Sequence, residues 1–441
     1  MDTERIPTAG SVALIRRAGW GIADQALSSL TNFALGILVA RAVSPAGFGA
    51  FTIVFATYTV ALGLCRAIAS EPLLVRYSAS PDSMWCRGTG PAAGAALLIG
   101  GALGLGCILV GWILRGQLWG PLVVLGLTLP GLLLQDCWRY AFLARGRASS
   151  AFGNDLVWAL ALFPALLLLQ RGHPSVTLLT LAWGAGATVA ALFGIHQARV
   201  TPVPLATFNW LREQRDLFPR FLGEFAVLAG AGQLVVYGLA ALAGLAALGV
   251  FRAGYILFGP IQMLIMGIGW VAIPELVRTL QRSTRSLLWA TTSLSLGLGA
   301  AALSWGAIVL LLPPSLGFPL LRTMWVPAHH LSVALTVSWI AGGVIAGAAA
   351  ALRALAAAKG SLGARLVGSP LGVVGGLVGA AINGAAGAAW GLALAGWIEA
   401  FVWWRQFTRA LRERERAVPA EASGRAHLFG GPPVISQECS S

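Results

Sequence analysis

Apolar stretches alternate with short polar breaks along the whole chain. They fall at roughly 20–40, 48–68, 91–114, 118–138, 151–170 and 174–196, then at 221–244, 247–274, 286–312, 328–351, 364–384 and 387–407. Each approaches the ~20 mostly apolar residues that an α-helix needs to cross a bilayer. The pattern predicts an all-α, polytopic integral membrane protein with about 12 transmembrane helices. Composition agrees: 57% of residues are hydrophobic and 10% charged, with a mean hydropathy of +0.78. Soluble domains carry about 25% charged residues. The deficit runs the full length, so one anchor on a globular body does not account for it.

The one long polar interruption, 197–220, divides the spans six and six. The expected organisation is an N-terminal six-helix lobe at 1–196, a cytoplasmic amphipathic linker at 197–220, and a C-terminal six-helix lobe at 221–407. A cytoplasmic tail at 408–441 follows, helical at first and partly disordered beyond. A shift of 200 residues aligns the two lobes: Asp24 meets Glu224, Gly49 meets Gly249 and Phe51 meets Phe251. Alanine and glycine matches are cheap in this composition, so the weight falls on the acid pair and the Gly-x-Phe pair. Six spans per half make the repeats parallel, related by an axis along the membrane normal.

The net charge of +14 raises the possibility of nucleic acid. The arginines, however, sit in short clusters between apolar stretches and form no continuous face, which excludes it. Their distribution fixes an expected orientation instead. With the N-terminus inside, 25 of the 30 basic residues, from Arg5 onward, fall in cytoplasmic segments, and four (Arg41, Arg115, Arg171, Arg322) fall outside. By the positive-inside rule both termini are cytoplasmic, and the chain is multi-pass in the cell inner (cytoplasmic) membrane. Arg16-Arg17 precedes a long span with no cleavage site, so that span reads as an uncleaved helix. The tail arginines, Arg409, Arg412, Arg414 and Arg416, either rest on anionic lipid headgroups or form a solvated face. Cys65, Cys86, Cys107, Cys137 and Cys439 have no metal or redox spacing and read as packing residues.

No phosphate-binding Gly-x-x-x-x-Gly-Lys-[Ser/Thr] loop, Gly-x-Ser-x-Gly elbow or His-Glu-x-x-His helix is present. The sequence thus points away from an enzyme and from an ATP-driven pump, and no cofactor is expected. An envelope polysaccharide polymerase or ligase would need an external catalytic constellation. The longest external segment, about 313–327, offers little acid–base chemistry. His329 and His330 at its end read as interfacial packing, with a metal or proton role as the alternative.

One segment carries a resemblance. Leu38-Val39-Ala40-Arg41-Ala42-Val43-Ser44-Pro45-Ala46-Gly47-Phe48-Gly49-Ala50-Phe51 is similar to the helix 1–2 signature of polysaccharide flippases. Gly249-Val250-Phe251-Arg252-Ala253 with Phe258-Gly259-Pro260 resembles the opening of their second lobe, and Gly387 to Ala393 the start of their last helix. The chain departs from that family in its short external loops and its scarcity of lysine. The resemblance implies membership of the multidrug/oligosaccharidyl-lipid/polysaccharide exporter superfamily, in which two six-helix bundles face a central cavity. It implies a flippase that moves a polyprenyl-diphosphate-linked oligosaccharide by alternating access. The partners would be membrane lipid and the lipid-linked glycan, with H+ or Na+ as coupling ion. An ion-coupled multidrug or small-metabolite antiporter of the same superfamily is the alternative.

Ionisable groups within a membrane are costly and so are functional candidates. Asp24, Ser28 and Asn32 share one face of the first helix. Asp24 and its repeat mate Glu224 are either coupling-ion sites or charges favoured at a helix N-terminus. Glu399, near the middle of the last span, needs a partner or a cavity and joins them as a coupling candidate. Asp155 reads as an end anchor. Arg252 either snorkels to the interface or receives a diphosphate, since a guanidinium fork matches phosphate oxygens. Arg66 and Arg139 are candidates for the mouth of that path, with positive-inside flanking as the plainer reading. Asn32 and Gln233 are the uncharged candidates for the cavity wall. Asp136 and Arg139 have i, i+3 spacing and are expected to pair.

Overall fold

The computed structural model describes residues 9–78, 80–172 and 174–428; Arg5 and Cys439 lie outside the described residues. All elements are helical. The first half comprises α1 (Ala9–Ala42), α2 (Pro45–Cys65), a π-helical turn (Arg66–Ser70), α3 (Glu71–Tyr77), α4 (Asp82–Leu114), α5 (Gly116–Ala144), α6 (Ala148–Leu169) and α7 (Val176–Ala198). After the short α8 (Thr207–Glu213) come α9 (Phe218–Leu257), α10 (Gly259–Arg282) and α11 (Thr284–Leu311). The rest is α12 (Pro314–Leu321), α13 (Trp325–His329), α14 (Ser332–Ala354) and α15 (Ala358–Leu428).

Eleven of these stretches are long and apolar enough to cross a membrane. The last, Ala358–Arg416, has 59 residues, far beyond one crossing. Its backbone breaks at Asn383 and Gly384, whose φ is +51°. On either side of the break Gly379 lies against the Gly387 backbone and Gly375 against that of Gly391. Equal offsets about residue 383 mean an antiparallel hairpin, so this stretch supplies two crossings. The glycines allow the two backbones to touch.

Chain reversals follow local chemistry. Ser44 caps α2 by accepting from the Gly47 amide at 3.2 Å, with Pro45 in the first helical position. Gly244 plays the corresponding part in α9, with φ +83° and ψ 169°. Residues before it descend along α2, where Phe225 meets Gly63 and Tyr237 meets Thr57. Those after it descend along α1, where Ile256 meets Gly36. Contacts at depth on both sides require the chain to turn back at Gly244, a position 200 residues after Ser44.

Two compact units result. One comprises Met1–Gly259, Val309–Val333 and Val373–Gly391; the other comprises Pro260–Ile308, Ala334–Gly372 and Leu392–Ser441. Within the first, the ends of α2 and α9 cross reciprocally. A Cβ on Gly49 would run into the Leu245 backbone, and one on Gly249 into the Pro45 backbone. Each contact maps onto the other under the 200-residue shift. In the second unit, Leu276, Leu287, Leu352, Trp403 and Phe407 form a buried core, and α14 packs on α11 through Gly343 and Gly347.

Residues 197–220 hold no single continuous helix. After α7 the chain turns at Arg199 (φ +54°), runs extended to Val203, and forms only a 3-10 turn and α8 before α9 begins. Gly90 and Gly94 on α4 leave room for this strap, and the Val203 amide donates to the Gly90 carbonyl at 2.9 Å. Trp210 is buried, stacks on Tyr77 and donates its indole N–H to the Ile68 carbonyl at 3.0 Å. Arg76 donates to the Glu213 carbonyl and pairs with Asp216 at 2.6 Å. The Asp216 carboxyl is held below its usual range by its own backbone amide and by Arg76, so the pair weakens only in acid. Trp210→Ala is expected to cost about 3–5 kcal/mol. The check is limited proteolysis, with cleavage within 199–217 rising well before the rest of the chain is cut.

Cys65, Cys107 and Cys137 are buried free thiols and Cys86 is exposed. The tail helix runs on to Leu428, farther than the composition predicts, and 429–441 lie outside the described residues.

Candidate functional site

The buried charge of the first unit collects around α5, which carries Gln135, Asp136 and Arg139 within little more than one turn. Arg139 donates to Asp24 of α1 at 2.7 Å and to Gln25 at 3.1 Å, and lies 3.9 Å from Asp155 of α6. Gln135 donates to Asp155 at 2.7 Å and to Asn154 at 3.2 Å. Asn154 in turn donates to the Ala190 carbonyl at 2.9 Å and lies within 3.4 Å of Gln197 on α7. Next to Gln135 on α5, Asp136 receives both arms of Arg66, at 2.9 and 2.6 Å. Arg66 opens the π-helical turn and lies over the Tyr140 ring at 5.3 Å. π turns recur at functional positions in helices.

The cluster holds three carboxylates (Asp24, Asp136, Asp155) against two guanidinium groups (Arg66, Arg139). Asp24 Oδ1 is buried with no hydrogen-bond partner. Fully ionised, the group carries one net negative charge in surroundings where charge is costly. A proton or a monovalent cation would balance it.

Arg252 occupies different ground. It lies on the second arm of α9, is exposed, and stands over the Phe55 ring at 5.8 Å. Phe55 belongs to an aromatic group with Tyr58 and Trp183, whose rings meet edge to face at 4.8 Å. Among the described residues Arg252 forms no salt bridge, unlike Arg66 and Arg139.

The structure therefore joins Asp24, Arg139 and Arg66 in one cluster and leaves the other sequence candidates apart from it. Asn32 is exposed on α1, and Gln233 is half-buried with its Oε1 unpartnered. Glu224 is exposed and close enough to Glu71 for the charges to interact. Glu399, in the second unit, accepts from Trp403 at 3.1 Å and sits where Gly368 leaves space. Two expectations change. Asp136 and Arg139 do not pair with each other, because each reaches a partner on another element. Asp155 is no end anchor but a buried member of the cluster. Gln135 and Asn154 were missed, although Gln135-Asp136-x-x-Arg139 and Asn154-Asp155 are polar groups set in apolar spans. His329 meets the packing expectation, with Nε2 at 3.1 Å from the Val309 carbonyl and its ring on Trp325.

No protein-family model matches the chain, and no curated protein matches its sequence. Solved structures do share its fold. An inward-facing multidrug resistance MATE family transporter of the MOP superfamily superposes with a TM-score of 0.65 at 14% identity, over 90% of this chain and 99% of the other. The lipid II flippase MurJ, in an inward closed conformation, gives 0.66 at 10% identity over 94% and 93%. A MOP superfamily transporter from Pyrococcus furiosus gives 0.54 at 14% identity over 91% and 95%. At these identities the likeness is one of fold.

Proposed function

We propose that this protein is a flippase that carries a polyprenyl-diphosphate-linked oligosaccharide across the cytoplasmic membrane by alternating access. In this reading the lobes 1–196 and 221–407 rock about the 197–220 linker, and both termini are cytoplasmic. The observation that carries it is Arg252: an exposed guanidinium within a span, backed by an aromatic ring and without a carboxylate. A cation so placed is available to an anion, and its fork suits phosphate oxygens. Arg66 and Arg139 are already engaged, so their role is to hold the lobe and release charge as the cargo or ion moves. Asp24, with its free buried oxygen, is the coupling site in this scheme, with H+ or Na+ as the ion. Glu224 and Glu399 are secondary acids, and Asn32 and Gln233 are polar positions on the cargo path.

The test is complementation of a strain lacking the chain, with surface glycan as readout. Losing a hydrogen bond to a charged group costs about 1.5–3 kcal/mol. Arg252→Ala should therefore lower export by about one to two orders of magnitude, with membrane levels unchanged and partial recovery in Arg252→Lys. Unchanged glycan in Arg252→Ala would remove the diphosphate role. The uncompensated negative charge around Asp24 favours a second reading, a cation-coupled antiporter of small metabolites or drugs. That reading gains if deletion alters drug resistance and leaves the glycan intact.

A further inference from the structure

An apolar cavity of about 630 Å³ opens on the side of the first unit, and neither Arg252 nor any member of the charged cluster lines it. Its walls are α2 from Ile53 to Leu64, α4 from Ala102 to Leu114, the start of α5, and the first arm of α9. Thr57 and Tyr237 are the hydroxyl-bearing residues of the lining. They hydrogen-bond to each other at 3.0 Å, and Thr57 also donates to the Ile53 carbonyl. With those groups satisfied internally, the wall offers hydrocarbon and the Tyr237 ring, and no free polar group for a sugar. Ala102, Val110, Leu114 and Ala241 remain exposed along it, so the groove faces sideways.

Its length is informative. From Ile53 to Leu64 α2 rises about 16 Å, and from Ala102 to Leu114 α4 rises about 18 Å. Half of a bilayer's hydrocarbon core of about 30 Å is about 15 Å. Leu245 lies against Gly49, so the groove runs about 22 Å down α2 to Leu64, deeper than one leaflet, and its Leu114 and Leu118 end lies beside Arg115. That arginine is exposed at the α4–α5 turn and has no salt bridge among the described residues. We propose that this groove holds one acyl chain of a resident bilayer phospholipid, with its headgroup phosphate at Arg115. The lipid belongs to the leaflet at the α1–α2 turn. Its site lies on the seam between the repeats, because Ile53 is one turn from Gly49 and Leu245 is one turn before Gly249. A chain in this groove is a third body packed against that crossing, and its occupancy follows the separation of α2 and α9.

Two glycines on α4 make the test clean. A side chain added at Gly106, in the lining, or at Gly101, outside it, meets nothing within 4 Å. Gly106→Phe therefore fills the groove and Gly101→Phe leaves it open, with the fold disturbed by neither. The full chain in phospholipid nanodiscs carrying a photoactivatable acyl chain would be irradiated and its peptides mapped. Labelling of peptides covering 53–64, 102–114 and 237–245 should exceed that at the lipid-facing Leu160 and Leu167 of α6. It should fall severalfold in Gly106→Phe and persist in Gly101→Phe. Labelling no higher than on α6, or unaffected by Gly106→Phe, overturns the site. Displacement by unlabelled polyprenyl phosphate overturns the resident phospholipid in favour of a cargo tail. None of these outcomes depends on export, so they stand or fall apart from the flippase reading.

Discussion

Arg139→Met is expected to be the most destabilising single substitution in the buried charge cluster. Asp24 would lose its cation at 2.7 Å and Asp155 its neighbour at 3.9 Å. Two carboxylates would then remain in a region that water does not reach, Asp24 being 2% exposed at its side chain and Asp155 5%. Removing one partner of a buried ion pair typically costs about 3–5 kcal/mol, because the other charge stays behind uncompensated. Asp24→Asn should be milder, since Arg139 keeps Asp155 and Gln25. The double variant Arg139→Met/Asp24→Asn removes both charges and should melt closer to the natural protein than Arg139→Met alone. That inversion, a second substitution that stabilises, is the signature of charge and not of lost volume. Thermal melts of the purified protein in one detergent decide it. If the double variant is no more stable than Arg139→Met, the arginine acts through packing and the cluster's charge balance is irrelevant.

The architecture was legible because crossing a bilayer imposes length and apolarity on every span, and both can be counted. The reversal at Asn383–Gly384 was visible too, since two polar-permissive residues divide what is otherwise an unbroken apolar run. The linker was not. Its charged residues suggest a surface helix, but Trp210 and Arg76 have more to gain from α3 and α4, and sequence periodicity carries no information about docking between elements. The candidate charges were legible as outliers, while their pairing was not: Asp136 and Arg139 are spaced to pair locally, yet tertiary partners compete and win. Gln135 and Asn154 escaped notice because uncharged amides stand out less than charges. Buried beside a carboxylate they matter as much, since each leaves a costly orphan if removed.

The repeat shows the same limit more sharply. On sequence, the match of Asp24 with Glu224 and that of Gly49-x-Phe51 with Gly249-x-Phe251 carried the weight together. In the fold the acids diverge, one buried in an ion pair and the other exposed, because an acid's role depends on what the other helices bring to it. The glycines keep one role in both halves, since close approach of backbones needs only the absence of a side chain. Of the two matches, the glycine one is the one that geometry requires.

The second large effect is expected at that crossing. Gly49→Val and Gly249→Val each place a Cβ closer to a facing helical backbone, at Leu245 and at Pro45, than real Cβ atoms come. The obstruction is main chain, so no rotamer change relieves it and the helix ends must separate. Overpacking of this kind costs about 1–3 kcal/mol, which as a bias between conformations amounts to about 5- to 150-fold. The conformation with α2 and α9 crossed should therefore be depleted, and transport that must pass through it should fall with it. Spin labels at Ser44 and Ala246, both exposed beside the crossing, would report this as loss of the short-distance population. Because the contacts are reciprocal under the 200-residue shift, the two variants should shift it to a similar extent. Gly101→Val, on a glycine with open space around it, should leave the distances unchanged. If the two crossing variants keep the natural distances while still folding, the helix ends do not meet at these glycines. If only one shifts them, the crossing is not shared equally by the repeats and the lobes do not move as symmetric partners.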